Sequence, residues 1–464
     1  MNTIIKINDF LNGIIWGVPM QVLLLGTGLI LAIKSALYVY RRFGYILKQT
    51  YGKMFHKTEI EEGKISPFQA VSTALAATIG TGNIVGVTLA ITSGGPGAVF
   101  WMWIAALFGM TTKVAEVTLA VATRRTNSKG ETVGGPMQYI EYGLGSKWLA
   151  KAFAFFGMLA CFGIGCMTQS NSITEAINSK IAIPKWTIGI LLMLLSAFVI
   201  VGGIKRIGTF AEKVVPFMAA FYILGGLYIM FINRSEIGNV LSMIFSNAFN
   251  GTAATGGFLG ASVASAMKFG IARGVFSNEA GLGSAPIAHA TSHTDHPVRQ
   301  GLWGAFEVFN TTIVCTITAF VVLVSGLWTN SELQGVAVTS AAFETGFRGG
   351  SYIVTIGLVL FAFTTIIGWS YYGEKCVEYL LGEKKIMPYR ILFIIAIFVG
   401  SIGGLKIIWD LADTLNGMMA IPNLIGLIGL SVPFSKLVKD FFKDPDHIYT
   451  NDNYDEYFEK DNLR

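Results

Sequence analysis

What limits this chain most is the recurrence of apolar runs as long as a bilayer is thick. A helix needs about 20 mostly apolar residues to cross the hydrocarbon core. Eleven runs read as such spans, over about 11–38, 67–92, 97–122, 149–178, 185–203, 208–232, 256–290, 300–327, 350–373, 388–402 and 406–433. Only 13% of the residues are charged, where a soluble domain averages about 25%. A soluble all-α chain would alternate polar and apolar faces along its helices. The 54 glycines suit helices that pack backbone against backbone in lipid. The expected fold class is therefore an all-α polytopic membrane protein with eleven transmembrane helices.

The loops set an orientation. Segment 39–66 holds Arg41, Arg42, Lys48, Lys53, Lys57 and Lys64. The loop after the third span holds Arg124, Arg125, Lys129 and Lys147, and the one before the sixth holds Lys205, Arg206 and Lys213. Lys375, Lys384, Lys385 and Arg390 follow the ninth. Basic-poor loops such as 93–96 and 328–349 alternate with these. Cytoplasmic loops carry the Lys/Arg excess, so the N-terminus is expected outside and the C-terminus in the cytoplasm, a parity that eleven spans satisfy. The net charge of +6 then reflects topology rather than nucleic-acid binding. Cys161, Cys166, Cys315 and Cys376 lie in no segment expected outside the cell, so no disulfide is expected. The first apolar run reaches about Leu37 with no small-residue cleavage pattern after it, and it reads as a retained helix. The charged tail from about Ser435 reads as a solvated extension.

Two spans are interrupted. The second breaks at Gly80-Thr81-Gly82-Asn83, within the string Thr78 to Gly86. The seventh, too long for one plain helix, breaks around Gly274 to Gly281. Counted from the second span, these are the first and sixth of ten helices. Paired interrupted helices at matching places in two halves point to a transporter built from inverted repeats. The expected division is 1–66 as an extra N-terminal transmembrane helix with a basic cytoplasmic loop, 67–232 as the first repeat, 233–255 as an extracellular connector, 256–433 as the second repeat and 434–464 as a cytoplasmic tail.

Glycine lowers helix propensity by about 1 kcal/mol per residue, so two glycines flanking a threonine favour unwinding at mid-span. Unwound backbone at membrane depth survives only against protein or a polar cavity. Its carbonyls can ligate a cation, and the N–H groups that open the next half-helix can hold a carboxylate. That pairing suits a zwitterion with a monovalent cation. The plainer reading of the same glycines is tight helix packing. The spacing Gly-x-Gly-x-x-x-Gly lacks the β-α-β context of a dinucleotide site.

Charges inside a span are costly and need partners. Glu279 at the second break is expected to form a structural ion pair with Arg273 or Lys268, while Phe276 walls a substrate. Thr365 and Trp369 share a helix face on the ninth span, and the Thr364 and Thr365 hydroxyls are hard ligands for a hard cation, though membrane threonines also bond their own backbone. Gln169 and Asn171 either face a cavity or join helices. Lys113 and Glu116, three residues apart, are expected to pair, and Glu307 and Asp413 to be buried and paired. His289, His293 and His296 cluster at an expected cytoplasmic loop, with too few ligands in defined geometry for a metal site.

Four strings carry a family resemblance: Gly80 to Gly86, Gly94 to Trp103, Gly134-Gly135-Pro136-Met137 and Phe276 to Ala285. Over about residues 10–435 the chain resembles the alanine or glycine:cation symporters. The resemblance implies a LeuT-like fold of five-plus-five inverted repeats and a secondary active symporter that couples sodium entry to uptake of alanine or glycine by alternating access. It implies that Gly80, Thr81, Gly82 and Asn83 meet the substrate, with Gln169, Phe276, Ser277, Thr365 and Trp369 completing the pocket. It implies a sodium site of carbonyls near Ala76 and Ile79 with the Thr364 and Thr365 hydroxyls. The implied partners are the amino acid, sodium and the lipid bilayer of the cell membrane, with no cofactor beyond the coupling ion, no nucleic acid and no obligatory protein partner.

Two rivals remain at this level. A proton-coupled carrier would use Glu279 as its titrating group. A channel would need a ring of pore-lining acids or a carbonyl filter, and neither is present in the sequence. No nucleophile–base set or metal constellation points to an enzyme.

Overall fold

The computed structural model describes residues 2–54, 64–250, 263–403, 406–449 and 453–459. Expectations for Lys57, for 251–262 of the connector and seventh run, and for 460–464 of the tail lie outside the described residues. The chain is nearly all helix. We number the helices α1 (Asn2–Ile15), α2 (Val18–Lys34), α3 (Phe43–Thr50), α4 (Pro67–Thr78), α5 (Val87–Gly94), α6 (Gly97–Ala122), α7 (Lys147–Phe162), α8 (Thr168–Asn178), α9 (Lys185–Ile200) and α10 (Gly203–Ile232). They continue as α11 (Ile237–Asn250), α12 (Val263–Asn278), α13 (Pro286–His289), α14 (Pro297–Ser325), α15 (Val336–Gly346), α16 (Gly350–Leu381), α17 (Ile386–Ile402), α18 (Lys406–Gly429) and α19 (Ser431–Phe441). A two-stranded antiparallel hairpin pairs Arg125 with Val133 and Thr126 with Thr132.

Eight helices among the described residues are long and apolar enough to cross a membrane, and the bent pair α4–α5 makes a ninth. α9 is a shorter apolar helix. The outward faces match a lipid environment. α10 exposes Phe217, Leu224, Tyr228 and Phe231, and α17 exposes Ile391, Leu392, Ile395 and Val399. Contiguous apolar surface on that scale is rare on proteins that face only water.

The two interruptions are built differently. α4 opens with a capping box: Ser66 Oγ accepts from the Gln69 N–H at 3.0 Å, and Gln69 Oε1 accepts from the Ser66 N–H at 3.2 Å. Pro67 follows at the first helical position, where its missing N–H costs nothing. The helix stops at Ile79 and restarts through a π-helical turn, Gly82–Gly86, with the two halves bent by 55°. Another π-helical turn, Gly163–Met167, joins α7 to α8. α12 ends instead in a non-helical stretch in which Glu279 (φ 55°), Gly281 (φ 90°) and Gly283 (φ 80°) all take left-handed backbone. Glycine adopts that region freely and glutamate does so rarely. The chain resumes helix at α13.

The tail corrects one expectation. Ser431–Phe441 is a helix that buries Phe434, Leu437, Val438 and Phe441. Beyond it, Arg299 donates to the His447 carbonyl at 2.9 Å, and the Tyr454 hydroxyl donates to the Asp295 carbonyl at 3.1 Å. The tail is docked on the body rather than solvated, because apolar residues at i, i+3, i+4 and i+7 give α19 a face to bury. The expected connector 233–255 contains the helix α11, and the basic-poor loop 328–349 contains α15.

Candidate functional site

The first break is braced chiefly by Asn83. Asn83 Oδ1 accepts from the Gly80 N–H at 3.0 Å, and the Asn83 N–H donates to the Gly80 carbonyl at 3.2 Å. Asn83 Nδ2 reaches Cys315 Sγ at 3.3 Å, and Thr318 Oγ1 donates to the Asn83 carbonyl at 2.9 Å. The amide thus replaces the helix bond lost at the Gly80 N–H and ties the break to α14.

Thr365 Oγ1 lies 3.3 Å from the Ala76 carbonyl and 2.8 Å from the Phe361 carbonyl. A Cβ on Gly80 would sit 2.6 Å from the same hydroxyl, so only glycine lets the break approach α16 this closely. Thr364 Oγ1 bonds the Phe361 carbonyl at 3.0 Å and lies 3.5 Å from Met218 Sδ, on the α10 side. Of the expected sodium ligands, the structure joins Thr365 to Ala76, while the Thr364 hydroxyl bonds its own helix. Ile79 marks the helix end, its N–H still bonded to the Leu75 carbonyl at 2.8 Å.

The second break supplies the facing wall. A Cβ on Gly82 would lie 2.9 Å from the Phe276 ring and 3.5 Å from Ser277 Cα. Ser277 Oγ donates to the Gly274 carbonyl at 2.8 Å. Trp369 packs on Gly165, where a Cβ would fall 2.3 Å from the tryptophan Cβ. Gln169 lies one turn beyond Gly165, which puts it on the same side of its span. Its Nε2 donates to the Ile164 carbonyl at 2.9 Å, and its Oε1 has no hydrogen-bond partner among the described residues. Asn171 joins helices by donating to the Gly403 carbonyl at 2.7 Å. Thr81, Asn83, Gln169, Ser277, Thr365 and Trp369 are no more than 3% exposed, so a ligand from either side reaches them only after helices move.

The charges are partnered otherwise than expected. Glu279 pairs with neither Arg273 nor Lys268. Its Oε1 accepts from Trp369 Nε1 at 3.0 Å and its Oε2 from Ser284 Oγ at 2.5 Å. Arg273 instead lies 3.9 Å from Asp413 and over the Phe276 ring. The left-handed turn at Glu279 carries its side chain away from the α12 face that bears Arg273. Asp413, 24% exposed, is therefore not a buried partner of Glu307. Lys113 does not pair with Glu116: its Nζ meets Glu307 at 3.3 Å across two helices, both side chains fully buried. Glu307 also accepts from Thr78 Oγ1 at 2.7 Å, on the last residue of α4, and contacts His289 Nε2 at 3.2 Å. His289 is thus a buried group, not a loop residue. Glu116 Oε1 accepts from the Gly281 and Gly283 N–H groups at 3.1 and 3.0 Å and from Asn423 Nδ2 at 2.6 Å.

Sequence reasoning missed Thr78, Cys315 and Thr318 as braces of the first break. Thr311, Cys315 and Thr318 recur at helical spacing within an apolar run, which is the signal that marks them. At the cytoplasmic end expected from the loop charges, His296 caps α14, its Nδ1 accepting from the Val298 N–H at 3.1 Å. Its ring packs among Phe441, Tyr449 and Tyr454. Desolvation there pushes its pKa down from 6.5 to about 4.

Comparison with known proteins bears on the family and the fold. The family model of the sodium:alanine symporter family matches residues 1–455. A sodium/alanine symporter of Methanococcus maripaludis is 49% identical, over 92% of this chain and 95% of its own length. A probable sodium/glutamine symporter of Bacillus subtilis is 40% identical over 82% and 79%. Among solved structures, MhsT in complex with L-phenylalanine aligns with a TM-score of 0.57 at 16% identity, covering 86% of this chain and 96% of that one. At that identity the likeness concerns the fold, which is the LeuT-like helical arrangement.

Proposed function

The chain belongs to the sodium:alanine symporter family, and we propose that it couples sodium entry to the uptake of a small neutral amino acid, alanine or glycine, by alternating access. It is a multi-pass membrane transporter and not an enzyme. The observation that carries the coupling is the approach of the Thr365 hydroxyl to the Ala76 carbonyl beside the unwound Gly80. Neutral oxygens on two elements suit a hard monovalent cation, whose charge then helps hold the unwound backbone. Ile79 and Thr364 complete this sodium site by carbonyl and hydroxyl once the helices part. The amino acid's carboxylate docks at the start of the second half-helix, near Thr81 to Asn83, where the dipole favours an anion.

A small substrate follows from the walls. Phe276 already abuts Gly82 and Trp369 already abuts Gly165, so side-chain room is limited. Ser277 and the unpartnered Gln169 Oε1 supply polar ligands. The burial of the polar lining supports a cycle in which one helix bundle rocks against the other. In the full architecture we assign eleven spans: a ten-helix core of two inverted repeats plus one added N-terminal helix, in the cell membrane with the N-terminus outside and the tail in the cytoplasm. The test is uptake by proteoliposomes of labelled alanine, glycine and glutamine, each competed by the others. Alanine or glycine is expected to be taken up with the higher kcat/KM, and a preference for glutamine would overturn the substrate assignment.

A further inference from the structure

Behind the pocket lies a buried charge excess. Glu116 and Glu307 are 0% exposed and Glu279 is 4% exposed. The nearest cation, Lys113, is fully buried and committed to Glu307. His289 does not add a charge. Ser292 Oγ donates to Gln300 Oε1 at 2.7 Å, which turns the Gln300 amide nitrogen toward His289 Nδ1 at 2.8 Å. Nδ1 therefore accepts, Nε2 bears the hydrogen bonded to Glu307, and the ring is neutral. Three carboxylates and one ammonium leave two negative charges without a counter-ion in a low-dielectric interior, where an unpaired ion is strongly disfavoured.

The neighbours decide which carboxyl can take a proton. Glu307 accepts from Lys113, Thr78 and His289, a donor set that suits the anion. Glu116 Oε1 accepts three N–H bonds, and its Oε2 has no partner among the described residues and so no acceptor there to receive an acid hydrogen. Glu279 differs. Its Oε1 can stay a carbonyl for Trp369 Nε1–H, and its Oε2–H can be given to Ser284 Oγ, 2.5 Å away, because a hydroxyl accepts as well as donates. A second observation points to the same place. The Tyr372 ring packs edge-on against Trp369, its side chain is 1% exposed, and its hydroxyl has no hydrogen-bond partner among the described residues and interacts electrostatically with Glu279 and Glu307.

We propose that Glu279 holds an exchangeable proton, making the second break a proton site that adjoins the amino-acid pocket through Trp369. The significance for transport rests on the sodium-coupled reading above; the proton site itself does not. The step is a single O–H bond formed or broken at Glu279 Oε2, with the proton exchanged with water when the helices part. The charged and titratable groups that interact with it are Lys113 from α6, Glu307 from α14, Tyr372 from α16 and Cys161 from α7; Glu116 from α6 meets the same turn through the Gly281 and Gly283 N–H groups, and His289 from α13 stands behind Glu307. Only Lys113 is a cation. Protonation removes one of the two excess charges and keeps the Trp369 bond, so the closed pocket favours the acid. Opening the pocket to water favours the carboxylate.

Infrared spectroscopy of the purified full-length chain in lipid nanodiscs tests this directly. The wild type is expected to show a protonated-carboxyl C=O band at pH 7 that Glu279→Gln removes and Glu116→Gln leaves. A band that survives Glu279→Gln, or disappears only in Glu116→Gln, would overturn the assignment. Should Glu279→Gln fail to elute as a folded species, Ser284→Ala keeps the carboxyl and deletes its acceptor. It is expected to shift the band's frequency, and an unshifted band contradicts the proposal. The spectrum needs no transport, so absent sodium-driven uptake would refute the functional reading while leaving this result to stand or fall alone.

Discussion

The two helix breaks face each other and are held by opposite chemistry. The turn of the first is held by neutral groups: Asn83, Thr318, Cys315 and Thr365 supply amide, hydroxyl, thiol and carbonyl contacts, and a carboxylate, Glu307, meets only the helix end before it, at Thr78. The second is anionic: Glu116 clamps the Gly281 and Gly283 N–H groups, and Glu279 sits on the turn itself. A site that takes up and releases a sodium ion gains from ligands that lose little when the ion leaves. A site that must keep its shape gains from charge-assisted bonds, which are roughly twice as strong as neutral ones. The first break therefore reads as the part that changes, and the second as the part that is fixed unless its proton moves.

This difference is open to direct attack. The largest stability effect is expected from Lys113→Met, which strands Glu307: about 3–5 kcal/mol lost, read as a lower midpoint of thermal unfolding in detergent. A midpoint within error of wild type would mean that the buried Glu307, which joins Thr78 to His289, does not depend on its cation. Asn83→Ala should cost about 1–3 kcal/mol, because it leaves the buried Gly80 N–H without its acceptor, and should reduce uptake at least tenfold. Full uptake would show that the first break does not need its brace. Thr365→Val should raise the sodium concentration for half-maximal uptake by about threefold to tenfold, a lost hydrogen bond's worth of about 0.5–1.5 kcal/mol. Thr365→Ser should stay close to wild type. Equal sodium dependence in both variants would remove Thr365 from the ion site.

The smallest effect concerns neither break. His296 is held neutral in the fold with its pKa lowered from 6.5 to about 4. Its contribution is complete above about pH 6.5 and is lost as pH falls toward 4, because the unfolded chain binds the proton more readily in that window. His296→Asn keeps a capping acceptor that does not titrate. The wild type should therefore lose more thermal stability between pH 7 and pH 4.5 than this variant does. Matching losses would show that docking of the tail is not under His296 control.

Much of this was readable in the sequence because it is local. Apolar run length points to the spans, and the glycines at 80–82 and between 274 and 281 point to both breaks, although the second helix stays intact to Asn278 and turns only from Glu279. Partners of buried charges are not local. Glu307 lies 194 residues from Lys113 and Trp369 lies 90 from Glu279, so nearest-neighbour pairing chose Glu116 and Arg273 wrongly. The docked tail was obscured differently: Phe434, Leu437, Val438 and Phe441 carry helical spacing, but the charges among and after them drew the reading toward solvent. Asn83 was singled out as a substrate ligand, and the structure adds a bracing role that no spacing rule reveals.

The central claim is sodium coupling at the neutral break. Alanine and glycine uptake into proteoliposomes should be measured with a sodium, lithium, potassium or proton gradient imposed in turn. The account predicts concentrative uptake with sodium, and little with potassium or with a proton gradient alone. Equal uptake under all four gradients would contradict it.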